Sequence, residues 1–170
     1  MTSPATSASP SVVHTDAAYL LPILRFLADI GISVEEATLP DDTFLPGILI
    51  HEGRLLIDRQ RLLYPGDVVH EAGHIAVTRA DERPTLGGNV TEHNPEKEGD
   101  ELAVHLWAYA ACLAMNLPAE VVFHPDGYRN QSQWLINIFR TGQNMGLPLL
   151  VWMGLSTNEE YPRMTRWLRE

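Results

Sequence analysis

Val68-Val69-His70-Glu71-Ala72-Gly73-His74-Ile75-Ala76-Val77 is the stretch on which the reading of this chain turns. Its centre has the form H-E-x-x-H. In a helix, residues four apart lie one turn apart on one face, so the imidazoles of His70 and His74 can reach a single ion. Glu71 between them can contact a water at that ion and act as general base. The flanks are apolar, no charge separates the histidines, and Ala72 and Gly73 leave room for a close neighbour. A solvated helix face could carry the same three residues, but its neighbours would be polar, and here they are core residues.

Two histidines alone hold a metal poorly, and a catalytic zinc site has three protein ligands with one position left open. The donors downstream are His93, Glu98, Asp100, Glu101 and His105. Leu102, Leu106, Tyr109, Ala110 and Leu113 recur at helical spacing and form a stripe expected to hold a second helix against the core. Glu101, His105, Ala108 and Cys112 form a neighbouring stripe of polar and small residues that could face a site. Glu101 is therefore the expected third ligand, with Glu98 one turn earlier as the alternative. Asp100 points elsewhere on the helical wheel, and His93 lies in a loop. An acid in a first turn also favours the helix dipole with no metal present, and it is the H-E-x-x-H that tips Glu101 toward the ligand role. Cys112 is too far along the helix to share the ion and reads as a small core residue.

Around these two helices the pattern predicts an α+β domain. Asp16 can cap a helix to about Ile30, ended by Gly31, with Leu20, Leu21, Leu24, Leu27 and Ala28 as its buried face. The segment ISVEEATL reads as a short strand. GILIHEGRLLID reads as a hairpin turning at Glu52-Gly53. Tyr64-Pro65-Gly66-Asp67 starts the histidine helix, which fades near Thr78 to Asp81. A long polar loop follows to Glu98, with paired Gly87-Gly88, and its length suits a lid or a binding segment. Further helices are expected from about Pro95 to Asn116 and from Asn130 to Gln143. The apolar run LPLLVWMGL follows, and EEYPRMTRWLRE suits a short terminal helix. The sheet is then a small three-stranded one, antiparallel or mixed, packed on helices.

The chain has 170 residues, 45% of them hydrophobic and 20% charged, which suits one folded domain with a sizeable core. The first 13 residues are rich in Ser, Thr, Ala and Pro and read as a disordered tail, leaving residues 14–170 as the domain. The formal charge of −10 and the lack of a visible basic cluster argue against direct nucleic-acid binding. The apolar run from Ala17 to Ile30 is broken by Pro22 and Arg25 and is too short to span a membrane. The single cysteine, Cys112, cannot form an internal disulfide, so a cytoplasmic location is expected. His14 and His51 read as non-ligands, His51 as a surface residue beside a turn.

Taken together, these residues resemble an ImmA/IrrE-type metallopeptidase, a compact gluzincin. The order of elements is similar: a helix, a small sheet, the H-E-x-x-H helix, then a helix bearing a glutamate ligand. That second helix in the family typically reads E-x-x-A-N-x-F-A. Here ELAVHLWA places Glu101 at the ligand, Val104 at the small position, His105 at the asparagine, Trp107 at the aromatic and Ala108 at the alanine. The resemblance covers roughly Val13 to Pro118, and residues from His124 to Thr157 have no clear counterpart.

The resemblance implies a zincin-like fold with extra C-terminal helices and zinc-dependent hydrolysis of a peptide bond in a specific protein, such as a regulator. His70, His74 and Glu101 would hold Zn²⁺, Mn²⁺ or another divalent ion, and Glu71 would take the proton from the attacking water. His105 would support the ligands. Tyr109, His105, His93 and His124 are the candidates for a neutral donor to the oxyanion. Two rival readings keep the metal and change the function. One is a regulatory or interaction module without turnover, against which the intact Glu71 counts. The other is a hydrolase acting on something other than a peptide.

Overall fold

A computed structural model describes residues 17–88 and 99–170. The expected tail at residues 1–13, the capping Asp16 and His14, and the donors His93 and Glu98, lie outside the described residues. The architecture is α+β, with a small mixed sheet and five α-helices among the described residues. No helix there is long and apolar enough to cross a membrane.

Helix α1 runs Ala17–Asp29. Its buried face is Leu20, Ile23 and Leu27, whereas Leu21 is exposed. The expected stripe is thus rotated toward Ile23, because the sheet and the next helix close over that side. Gly31 ends the helix at φ 89°, and Ile32 N–H donates to Leu27 O, closing a Schellman turn.

Three short strands follow: β1 (Val34–Glu36), β2 (Ile48–His51) and β3 (Arg54–Ile57). Their order is β1-β3-β2, with β1 parallel and β2 antiparallel to β3. The β2–β3 hairpin turns at Glu52 (φ 50°) and Gly53 (φ 72°), the two left-handed positions that a two-residue hairpin requires. Alternation sends Ile48, Ile50, Leu55 and Ile57 to the core.

Helix α2 (Pro65–Val77) is the histidine helix, and it lies in the middle of the molecule against α1, the sheet and helix α3 (Glu101–Ala114). Every residue of α2 is buried except His70 and Glu71, which are partly open to solvent. Gly66 and Gly73 permit this burial. A Cβ on Gly66 would fall 1.9 Å from Val121 O, and one on Gly73 would fall 2.8 Å from Val104 Cγ1 of α3. Helix α3 is buried from Ala103 to Cys112 apart from His105, while Leu102 and Leu113 are exposed. The single apolar stripe expected for α3 is therefore a wider buried surface, since this helix also packs against α5.

Helices α4 (Ser132–Arg140) and α5 (Leu147–Trp152) complete the domain. The terminal segment forms no helix. It runs as a strap behind α2 and α3. Trp107 Nε1 donates to Trp167 O at 2.9 Å, Arg169 N–H donates to Ala76 O at 2.9 Å, and the Trp167 ring sits edge-on to Phe26 at 4.9 Å. Docking of Trp167 against buried Trp107 and partly buried Phe26 overrides the local helical pattern of this segment.

The long polar loop begins docked on the sheet. Gly88 N–H donates to Ile50 O and Gly53 N–H donates to Leu86 O, so this part of the loop occupies the outer edge of β2. The left-handed φ of Gly88 (69°) serves that docking. Residues 89–98 of the loop, on which its reading as a lid depends, lie outside the described residues.

Candidate metal centre

Helix α2 presents His70, Glu71 and His74 on its one open face, and the first turn of α3 presents Glu101 to them. His74 Nε2 lies 3.3 Å from His70 Nε2 and 3.0 Å from Glu101 Oε1, while His70 Nε2 lies 3.7 Å from Glu101 Oε2. These three donors form the one group among the described residues that could hold a metal ion. With Zn–N bonds of about 2.0–2.1 Å, the ligand atoms of a tetrahedral zinc stand about 3.3 Å apart, which matches the observed separations. The chemistry of the donors fits as well. Two imidazole nitrogens and a carboxylate converge in a partly buried site, and their lone pairs face one another unless a cation or a proton sits between them.

The surrounding groups fix this arrangement. Tyr128 Oη lies 3.3 Å from His70 Nδ1. With Nδ1–H donating to the phenol oxygen, the Nε2 lone pair of His70 faces the other donors. His105 Nε2 lies 3.5 Å from Glu101 Oε2, one turn further along α3. His124 pairs with Asp67 at 2.9 Å and stacks on Tyr64 at 3.9 Å, and the Tyr64 hydroxyl donates to Asp126. This pins the segment carrying Tyr128 to the first turn of α2.

Burial and crowding separate the titrations. Burial, with help from the neighbouring His74, holds His70 down to about 3. Burial also works against the charged form of His74, but its hydrogen bond to Glu101 and the charges of Glu71 and Glu101 outweigh it and raise this histidine. Burial pushes Glu101 up, and the hydrogen bond and charge of His74 more than reverse that, leaving it at about 2. Glu71 is raised to about 7 by burial, against the pull of His74. Tyr128 is raised well above the usual phenol range by burial and by Asp67, so it stays protonated. Glu71 is thus a carboxylate raised toward neutrality beside three ligand-type side chains.

The centre forms the floor of an open cleft of about 740 Å³. The chain matches no protein family, no curated protein and no solved structure.

The geometry of the centre brings together five of the sequence-predicted residues: His70, Glu71, His74, Glu101 and His105. It does not bring Tyr109. That side chain is buried one turn beyond His105, with its ring on Phe139 at 5.2 Å, and it does not line the cleft. Tyr109 belongs to the core stripe, and packing decides its direction. His124 is spent on Asp67, and His51 is exposed on β2 as expected. The residue that sequence reasoning missed is Tyr128, which reads locally as the end of a PDGY turn. Nothing in its own neighbourhood signals that the turn folds back over His70.

Proposed function

We propose that this protein is a metal-dependent peptidase of the H-E-x-x-H kind, in keeping with the resemblance to the ImmA/IrrE-type metallopeptidases. The observation that carries the proposal is the convergence of His70, His74 and Glu101 beside Glu71, at the floor of an open cleft. His70, His74 and Glu101 would hold the ion, zinc by the match of donor set and spacing. A divalent cation bound there supplies Lewis acidity toward a water and a scissile carbonyl.

The chain's own residues do the rest. Glu71 takes the proton of the attacking water and passes it to the leaving amine, and its raised pKa suits both transfers. Tyr128, held protonated over the cleft, is the neutral donor best placed for the developing oxyanion. His105 orients Glu101. The cleft volume falls within the ~300–1,000 Å³ of ordinary ligand clefts, enough for side chains on both sides of a bond.

The test uses Glu71→Gln. This variant should retain zinc and lose peptide hydrolysis by about 10²–10⁴-fold, the usual contribution of a general base. Cleavage at the wild-type rate in Glu71→Gln, or cleavage that survives complete chelation, overturns the proposal.

A further inference from the structure

Large apolar side chains in water are normally scattered singly over a protein surface. Eight are exposed among the described residues, and four of them line the cleft: Phe44 (69% exposed), Leu102 (43%), Trp134 (51%) and Met145 (58%). They come from four separate segments: the stretch before β2, the start of α3, α4, and the stretch before α5. No single misplaced element explains their convergence. They form an apolar wall around the mouth of the metal centre.

The charge of the cleft is uneven in a second way. Its acids, Asp67, Glu71 and Glu101, all belong to the metal centre or its support. Histidines aside, Arg129 is the one cationic side chain among the described residues that line it. Arg129 is exposed, and no ion-pair partner is found for it among the described residues. Its backbone is unusual. Tyr128, Arg129 and Asn130 have φ of 55°, 51° and 62°, three consecutive non-glycine residues in the left-handed region. Such residues cost energy and persist where the surroundings over-determine them. Here the surroundings are the Tyr64–His124–Asp67 stack below and the Phe123 ring, 5.1 Å from that of Tyr128. The same turn that places Tyr128 over His70 therefore raises Arg129 at the cleft rim.

We infer that the cleft selects a peptide segment carrying a bulky apolar side chain close to a carboxylate, the apolar group seating against Phe44, Leu102, Trp134 and Met145 and the carboxylate pairing with Arg129. This rests on the proposed peptidase reading and adds the substrate class to it. In a protein of net charge −10, Arg129 is the one cationic side chain, histidines aside, that the described lining of the cleft offers to a carboxylate. The cation thus acts as a filter, admitting an acidic group in one register only. An unpaired guanidinium is also suited to two-pronged recognition of a carboxylate.

The experiment measures binding separately from cleavage. Blocked peptides with Leu or Phe followed by Glu are compared with the same peptides bearing Gln. Binding is read by calorimetry and by the fluorescence change of Trp134, using Glu71→Gln protein both zinc-loaded and chelated. The Glu peptide should bind about fivefold more tightly than the Gln peptide, with or without zinc. Arg129→Asn, which suits the left-handed backbone, should bring that ratio to about one. Arg129→Glu should invert it in favour of a Lys peptide. Replacing Leu by Ala in the peptide, or Trp134→Ala in the protein, should weaken binding of both peptides alike. A ratio unchanged in Arg129→Asn overturns the inference. So does a ratio that falls to one on chelation, because the carboxylate is then bound by the ion. If wild-type protein cleaves none of these peptides while the Arg129-dependent preference persists, the peptidase reading fails and the recognition stands. Cleavage with no preference for the acid sinks the recognition alone.

Discussion

Gly73 lies between the two histidines, where a helix would ordinarily gain from alanine. Alanine is about 1 kcal/mol better than glycine in a helix interior, so propensity alone predicts that Gly73→Ala stabilises the protein. The packing predicts the opposite. The added Cβ would lie 2.8 Å from Val104 Cγ1 and 3.4 Å from Trp107 Cε3, against a comfortable carbon separation of about 3.5–4.0 Å. Neither neighbour can yield freely. Both are fully buried, valine is stiff at χ1, and Trp107 is held by its bond to Trp167 O. Overpacking of this kind costs about 1–3 kcal/mol. Taking about 2 and subtracting the propensity gain leaves about 1 kcal/mol of destabilisation, or about 2–4 °C in Tm for a domain of this size. The strain falls between α2 and α3, so it also draws Glu101 away from His74 and weakens zinc binding. A thermal melt in chelator and a zinc titration measure the two effects. Val104→Ala added to Gly73→Ala should recover part of both losses, a coupling of about 1 kcal/mol. A Tm that rises in Gly73→Ala with zinc affinity unchanged would refute the close-approach argument.

Other outcomes follow from the same site. His105→Asn should retain zinc, while His105→Leu should weaken it by about ten- to a hundredfold, and equal zinc affinity of the Leu variant in a competition titration would remove His105 from the support of Glu101. Tyr128→Phe should lower kcat more than it raises KM and leave zinc stoichiometry intact, whereas a pure KM effect would argue against oxyanion donation. Between pH 6.5 and 8, the stabilisation that zinc confers should widen as pH rises. In the metal-free fold His74 is raised above its ordinary value and Glu71 is raised to about 7, so the folded state binds more protons than the unfolded state and loses stability as pH climbs through these values. His70 and His105 are lowered, and the protons they bind only in the unfolded state just above their ordinary value are common to the zinc and chelator curves, so they cancel in the gap. Melting curves with zinc and with chelator across this range check the sign, and a gap that narrows with pH contradicts it.

Much of this arrangement was legible in the sequence, for identifiable reasons. The H-E-x-x-H and the Glu101–His105 stripe are local patterns. Helical geometry alone places each set on one face, and the apolar context requires those helices to be buried together. The hairpin was equally legible, because Glu52-Gly53 supplies left-handed residues where a two-residue turn needs them. What failed depended on tertiary packing. Tyr109 and Tyr128 look alike as residues, but Tyr109 shares a helix with the ligand and faces Phe139, while Tyr128 is remote in sequence and folds back over His70. The C-terminal segment has helical spacing, yet Trp167 gains more by docking on Trp107 and Phe26 than a short helix would return. The face of α1 turned toward Ile23 because apolar residues flank the true stripe on both sides, Leu21 and Leu24 on one and Phe26 and Ile30 on the other, leaving the pattern without a unique phase.

The measurement closest to the central claim is an anomalous diffraction map at the zinc edge, with zinc content measured on the same wild-type, His74→Ala and Glu101→Ala preparations. The account predicts one zinc per chain, a single peak within about 2.0–2.2 Å of His70 Nε2, His74 Nε2 and a Glu101 carboxylate oxygen, and loss of that peak in both variants. A wild-type protein without zinc after loading, or a zinc that stays in place when His74 and Glu101 are each removed, would contradict it.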